Sequence, residues 1–422
     1  MKALIIGGGL GGLLTAARLV KAGHRIEIFE RQALIGGRFI NLDYKGYKLT
    51  SGALHMIPHG SRGPLASMLR QVGADVKIVT SSPPAMLRIP DNGSVRDIPF
   101  KNFSSPLSLT DKLKLFYLNT KSRFVKPGDE SFKDWFFPFI KDPWLIKFAN
   151  AYCGWALSMR CDDVSVREML AIIDNMRRYG GPGVPMGGCS AIINALEQVI
   201  LSGGGIIHTN SQVDQILIVD SRAVGVEAGG ETIPGDVVIS DIGHQLTAQL
   251  YDHPDTDEFK EYTAALNSAR PAPGIKICLG ANMPLIGHSG ILLTPYARRV
   301  NGINEVTSID PSLAPPGKHL IMSHQALQSD DIQSEIELGL KDLEDIFHKD
   351  DYEVLMVQTY RNGWPVNRAG SGSDLGNTTP IKGLYIVGDG AKGKGGIEVE
   401  GVAMGVENTI GLLQNFKTNY AR

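Results

Sequence analysis

The sequence is poor in the features that would place it among metal, disulfide, membrane-spanning or nucleic-acid-binding proteins. Its only cysteines are Cys153, Cys161, Cys189 and Cys278, and no two form a Cys-x-x-Cys pair. That excludes the common zinc and dithiol redox arrangements, and no metal site is expected. Scattered thiols fit a reducing cytosol. No stretch reaches the roughly 18 consecutive apolar residues of a membrane-crossing helix. Excess charge is missing as well, with 42 Lys plus Arg against 44 Asp plus Glu and a net charge of −2. A nucleic-acid partner would call for a basic excess, so none is expected. Met1 to Ala17 has the outline of a signal peptide, but five glycines break its apolar stretch.

Glycine is the residue in surplus, at 49 of 422 positions. The length exceeds the roughly 250–300 residues at which single cores stop growing, so two domains are expected, possibly interleaved in sequence. The glycines cluster, which marks places where backbone approaches something closely. Ala3-Leu4-Ile5-Ile6 is suited to a buried parallel strand and runs into Gly7-Gly8-Gly9-Leu10-Gly11-Gly12. Gly7, Gly9 and Gly12 have the G-x-G-x-x-G spacing. A helix is predicted over Leu13 to Lys21, ended by Gly23, then a strand over Arg25 to Phe29. Glu30 closes that strand, 21 residues beyond Gly9. Each part has a physical task in holding a dinucleotide. Gly7 permits the tight turn, Gly9 lets backbone reach a pyrophosphate, and Gly12 lets helix and strand pack closely. The helix start offers free N–H groups and the positive end of its dipole. Glu30 can accept both ribose hydroxyls.

The fingerprint does not separate NAD from FAD, but the next residues do. Gly36-Gly37-Arg38 follows six residues after Glu30. From Leu4 to Arg38 the chain resembles the FAD-binding segment of the amine oxidase and phytoene desaturase superfamily. The resemblance implies that Gly37 offers backbone contact near the pyrophosphate and that Arg38 offers charge. It resumes over Pro185 to Asp241, where Val213 matches a position whose backbone lies near the adenine. It returns again at Gly383 to Asp389, a short strand ending in Gly388-Asp389. Asp389 is then implied to bond the ribityl or pyrophosphate region. The last helix, predicted to begin at Glu400, is implied to aim its amino end at the flavin, near Val399 and Gly401. A helix dipole there favours the negative charge of reduced flavin. The implied cofactor is FAD, and its candidate ligands are Gly7, Gly9, Leu10, Gly11, Gly12, Glu30, Arg31, Gly37, Arg38, Val213, Gly388, Asp389, Val399 and Gly401.

The chain also departs from the family pattern. Many members carry an Asp two residues before a Gly in the strand that here reads Leu49-Thr50-Ser51-Gly52. The loop after it, Ala53-Leu54-His55-Met56, is implied to approach the flavin. His55 is a candidate base there, although a hydrogen-bonded structural His is the commoner arrangement. Many amine oxidases place a strand Lys beside the flavin, and Lys276 resembles it in type and context. A strand Lys more often faces solvent. Amine oxidases usually carry an aromatic cage residue at the position of Glu398, so the cage is incomplete here and Glu398 becomes a third candidate catalytic group.

Residues 60 to 180 read as helical and irregular. Nine aromatics crowd Phe132 to Trp155, with Lys133, Lys141 and Lys147 among them. Three readings compete: a helical core, an apolar wall of a substrate cavity, and a surface resting on a membrane. Ser165 and Glu168 have capping-box spacing, so a helix is predicted from Val166.

The resemblance implies an α/β fold, with a Rossmann-type, GR2-like FAD-binding domain interleaved with an α+β substrate domain. FAD-binding parts are expected at 1–60, 183–245 and 356–422, and substrate segments at 61–182 and 246–355. The expected function is hydride transfer between flavin N5 and an apolar, isoprenoid-like small molecule by a desaturase, saturase or isomerase. A flavin amine oxidase is the alternative. A non-enzymatic flavin binder fits poorly, because both flavin-contacting motifs are intact. The expected location is the cytoplasm, with peripheral membrane contact left open through the aromatic segment. Replacing Glu30 by Ala is expected to weaken FAD retention, read as flavin absorbance after dialysis; full occupancy would contradict the ribose role.

Overall fold

Ala3, Leu4, Ile5 and Ile6 are buried, as a central parallel strand demands. In the computed structural model, which describes residues 1–52, 54–124, 128–361, 370 and 374–420, Lys2–Ile6 is the middle strand of a five-stranded sheet. The order is Leu384–Ile386, Val237–Ser240, Lys2–Ile6, Arg25–Phe29, Ile206–His208, and every pair is parallel. The register aligns the carboxyl ends: Ile6 sits opposite Ser240, and Ser240 opposite Ile386. One face is covered by the helices Leu10–Lys21, Cys189–Ser202 and Glu398–Tyr420. On the other, Leu4, Ile6 and Phe29 share a core with Val213, Ile216 and Val226 of a three-stranded antiparallel sheet.

A second, seven-stranded sheet runs Tyr352–Tyr360, Gly274–Ala281, His319–Ala326, Gly302–Glu305, Ile291–Leu293, Ala85–Asp91, Ser94–Pro99. Its residues alternate between two cores, as the pleat requires. Ile275, Ile277 and Leu279 pack outward with Leu343 and Phe347. Cys278, Leu320 and Met322 pack inward with Trp144, Trp155 and Phe132 from the helical layer.

Four expectations need correction. The stretch from 60 to 180 is not only helical and irregular, because it holds the strands Ile78–Thr80, Ala85–Asp91 and Ser94–Pro99. Asn92 and Gly93, with φ of 47° and 84°, make the two-residue turn of the hairpin. Asn-Gly is the strongest short hairpin signal, and the sequence displays it. The crowded aromatics form mainly a core: Phe132, Phe136, Trp144 and Trp155 are buried. The strand at the carboxy-terminal return is shorter than expected, Leu384–Ile386, and the first and last helices start earlier, at Leu10 and Glu398. Among the described residues no helix is long and apolar enough to cross a membrane.

Candidate active site

The carboxyl ends of three parallel strands meet at the start of the first helix. Gly7 leaves its strand with φ of 95°, a conformation that favours glycine. Gly9 is the N-cap of the helix and provides no side-chain cap. Gly36 donates its N–H to the Gly8 carbonyl at 2.6 Å and bridges Gly9, which lays the Gly36-Gly37 loop against the first turn. Glu30 is buried, accepting the Gly8 N–H on one oxygen and the Gln32 N–H on the other, both at 2.8 Å. Those bonds fix the carboxylate while leaving further lone pairs for hydroxyl donors. Arg31 beside it is exposed. The Ser211 N–H donates to the Glu30 carbonyl at 2.9 Å, so the segment leading to Val213 passes this end of the cradle.

Asp241, which sequence reasoning missed, follows the strand Val237–Ser240 and points into the cradle. Its carboxylate accepts the Gly12 N–H at 2.8 Å. A Cβ on Gly9 or Gly11 would lie 2.5 or 2.7 Å from its oxygens. A Cβ on Gly11 would also lie 2.7 Å from the backbone nitrogen of Gly388. Burial pushes the Asp241 pKa up to about 7, against the pull of the Gly12 N–H and Arg38. This tight cradle admits backbone-lined contact and little else, which fits the pyrophosphate of FAD. The residues present therefore suit the cofactor.

At the far end, Asp389 pairs with Arg38 and with Lys392, whose Nζ lies 2.7 Å away. Burial lowers Lys392 to about 8. Glu398 begins the last helix with φ of 43°, a strained conformation for a residue with a side chain. Burial raises its carboxyl to about 7, with Lys392 pulling the other way. Val399 packs into the core shared with the first helix, and Gly401 turns tightly over Gly396 and Lys392.

Lys276 does not face solvent; it is fully buried. Its Nζ donates to the Thr50 carbonyl at 2.8 Å, the Thr50 hydroxyl at 2.6 Å and the Gly52 carbonyl at 3.3 Å. Thr50 thus stands at the position where many family members carry an Asp. The Tyr360 hydroxyl also donates to Gly52. Burial lowers Lys276 to about 8. His55, the candidate base, has the hydrogen-bonded arrangement that is commoner for a structural His. Its Nε2 donates to the Lys48 carbonyl at 2.6 Å and its Nδ1 accepts the Cys189 N–H at 3.1 Å. Both nitrogens are occupied, burial depresses the pKa to about 4, and the ring caps the helix Cys189–Ser202. Ala53, in the same loop, lies outside the described residues.

Beside this cluster is a cavity of about 110 Å³, walled by Leu54, Met56, Trp155, Leu293 and Ile397 among other apolar groups. Tyr152 lines it too, its hydroxyl donating to the Met176 sulfur at 2.8 Å. The aromatic segment therefore supplies both core and cavity wall. Two further ionisable groups line the cavity, Glu398 and His59. His59 is buried, its Nδ1–H donates to the Gly180 carbonyl at 3.1 Å, and its Nε2 has no hydrogen-bond partner. Burial lowers its pKa, so the neutral ring keeps an Nε2 lone pair. Glu400 holds this loop from the last helix, accepting the His59 and Leu65 N–H groups at 3.2 and 2.8 Å. Sequence reasoning missed His59, Glu400 and Lys392; the nearest signal was their closeness in sequence to His55 and Glu398. No group of three metal-ligating side chains occurs among the described residues.

Comparison with known proteins agrees with this geometry. Residues 10–404 match the family described as flavin containing amine oxidoreductase. An uncharacterized protein of Methanocaldococcus jannaschii is 40% identical over 98% of this chain and 100% of its own length. Prolycopene isomerase 1 of an Oncidium hybrid cultivar is 26% identical over 92% of this chain and 79% of its own. The crystal structure of an oxidoreductase from Methanosarcina mazei superposes with a TM-score of 0.92 at 51% identity, covering 97% of this chain and 100% of that one.

The raised pKa of Asp241 gives a signed pH prediction. The folded value, about 7, exceeds the ordinary 3.8, so the folded state holds this proton more tightly. The resulting stability is complete below 3.8 and is lost as pH rises to about 7. Asp241→Asn removes this titration and keeps an acceptor for Gly12. The melting-temperature difference, wild type minus Asp241→Asn, should therefore fall between pH 4 and pH 7 and level off above. A difference that is flat or rises across that window would contradict the assignment.

Proposed function

The chain belongs to the flavin-containing amine oxidoreductase family and is an FAD-dependent oxidoreductase, and from that premise we propose that it moves hydride between the flavin and an apolar, isoprenoid-like substrate, as a desaturase, saturase or isomerase does. The observation that carries this reading is the cavity, whose wall is apolar apart from Glu398, His59 and the hydroxyl of Tyr152. Such a wall favours a hydrocarbon segment and excludes water from the reacting bond. The likeness to prolycopene isomerase 1 supports the same substrate class.

Bound FAD supplies the hydride acceptor or donor at N5. In this reading Gly7, Gly9, Leu10, Gly11 and Gly12 would hold the pyrophosphate with Arg38, and Glu30 and Val213 would hold the adenosine end. Gly37 would offer backbone contact near the pyrophosphate, Gly388, Asp389, Val399 and Gly401 would contact the ribityl and flavin portion, and Arg31 would lie at the ribose edge. When a C–H bond of the substrate gives up hydride and an adjacent C–H gives up a proton, a double bond forms. Glu398 and the Nε2 lone pair of His59 are the groups placed to take that proton. A carboxyl raised to about 7 is well matched to proton transfer near neutral pH. Lys276 and His55 then act by position: Lys276 ties the strand Tyr47–Thr50 to the second sheet, and His55 anchors the loop lining the cavity.

The amine oxidase reading has one observation in its favour, a buried strand Lys with a lowered pKa. Against it stands Glu398, where an amine cage would use an aromatic. Oxygen reactivity separates the two. The purified yellow protein is reduced without oxygen, then mixed with aerated buffer while flavin absorbance is followed. The proposal expects reduced flavin to persist for minutes and to be reoxidised by an apolar polyene or another acceptor. Reoxidation by oxygen within seconds would sink it in favour of an oxidase.

A further inference from the structure

The helix Leu109–Phe124 carries apolar residues on the wrong side for a core. Leu118 is buried beneath it, and Leu115 packs against the helical core. Facing away, Leu109, Leu113, Phe116, Tyr117 and Phe124 are 75, 63, 71, 56 and 83% exposed. At about 100° per residue these five fall within an arc of about 100° on the side opposite Leu118. Thr120, the polar residue inside that arc, returns its hydroxyl to the Phe116 carbonyl at 2.9 Å. Scattered exposed apolar residues are ordinary, but a continuous stripe of large ones on one helix marks a contact surface.

Charge selects the contact. Its described side chains include Lys112, Lys114 and Lys121 against one acid, Asp111, in a chain whose net charge is −2. By the same helical rotation Lys112 borders one edge of the stripe, and Lys114 and Lys121 the other. Lys112 and Lys114 are exposed, and Lys121 lies over the ring of Phe139, itself 41% exposed. An apolar stripe with basic margins is the pattern of a helix lying in the plane of an anionic bilayer surface, its apolar side among acyl chains and its cations among headgroups. A twofold contact with a second copy would set these cations against their own counterparts. It would also draw on a handful of residues, where a standard interface uses roughly 20–30 a side.

We propose that this helix docks the protein on an anionic lipid surface. The aromatic run from 132 to 155, the first candidate for such contact, is largely inside; the exposed stripe precedes it in the chain. The docking helix also adjoins the cavity. Its Asn119 accepts from Arg177 at 3.1 Å, next in sequence to Met176, which lines the cavity, and Phe100 from the turn before the helix lines it as well. The docking helix thus lies beside a segment that lines the cavity. The docking stands whichever substrate the cavity takes.

The test is flotation of the full-length holoprotein with vesicles of equal parts phosphatidylglycerol and phosphatidylcholine. The expected result is co-flotation that weakens at about 0.5 M salt. The triple variant Leu113→Ser, Phe116→Ser, Phe124→Ser should lose at least ~10-fold in vesicle partitioning while its flavin absorbance and melting temperature stay unchanged. Because these side chains contact solvent, the variant should fold. Equal flotation of wild type and variant would overturn the proposal, as would equal binding to pure phosphatidylcholine vesicles. A dimer in sedimentation analysis that the variant dissolves, without vesicle binding by the wild type, would overturn it in favour of a second copy.

Discussion

The parallel register of three strands, drawn from the beginning, middle and end of the chain, is the constraint on which the rest depends. Lys2–Ile6, Val237–Ser240 and Leu384–Ile386 end level with one another. Gly7 to Gly12, Asp241 and Gly388-Asp389 are therefore delivered to one place. The closeness of that meeting explains why glycines occupy it. A Cβ on Gly11 would sit 2.7 Å from the Gly388 nitrogen, and backbone cannot yield as a flexible side chain can. The segments between the returns are long, but loop closure grows only slowly with length, so large insertions are compatible with this sheet.

The cradle and the cavity are joined by a few buried polar contacts. Glu400, two residues into the last helix, holds the backbone of His59 and Leu65, so the helix that starts at Glu398 also sets the loop on the cavity wall. Lys276 reaches from the second sheet to Thr50 and Gly52. Asp241, Glu398 and Glu400 each have carboxyls raised by burial to about 7. A site built this way keeps negative charge low near an anionic cofactor and leaves a carboxyl able to exchange protons near neutrality.

Much of the cofactor region was legible because its signals are local. Strand, glycines, helix and terminal acid follow one another within the first 30 residues, and each requirement acts on near neighbours. Asp241, Lys392, Glu400 and His59 were not legible for the opposite reason. Their roles rest on partners far away in sequence, such as Gly12 for Asp241 and His59 for Glu400. Lys276 shows the same limit from the other side: its residue type and strand were readable, but not its complete burial. The Asn92-Gly93 hairpin carries a local turn signal inside a stretch whose composition otherwise reads as helical and irregular. The aromatic crowd announced an apolar environment without saying which rings face a core, a cavity or solvent. Periodicity finds the stripe on Leu109–Phe124, yet only packing shows that it points outward.

The central claim is that the convergence of these strand ends is what holds FAD. The most direct measurement is the FAD stoichiometry of Gly11→Val and Gly11→Ala beside wild type after saturation with FAD and desalting, with circular dichroism to verify folding. The account predicts about one FAD per chain for wild type, reduced retention for Ala and none for Val with native secondary structure kept. A wild-type protein that binds no flavin, or a folded Gly11→Val that retains it fully, would contradict the claim.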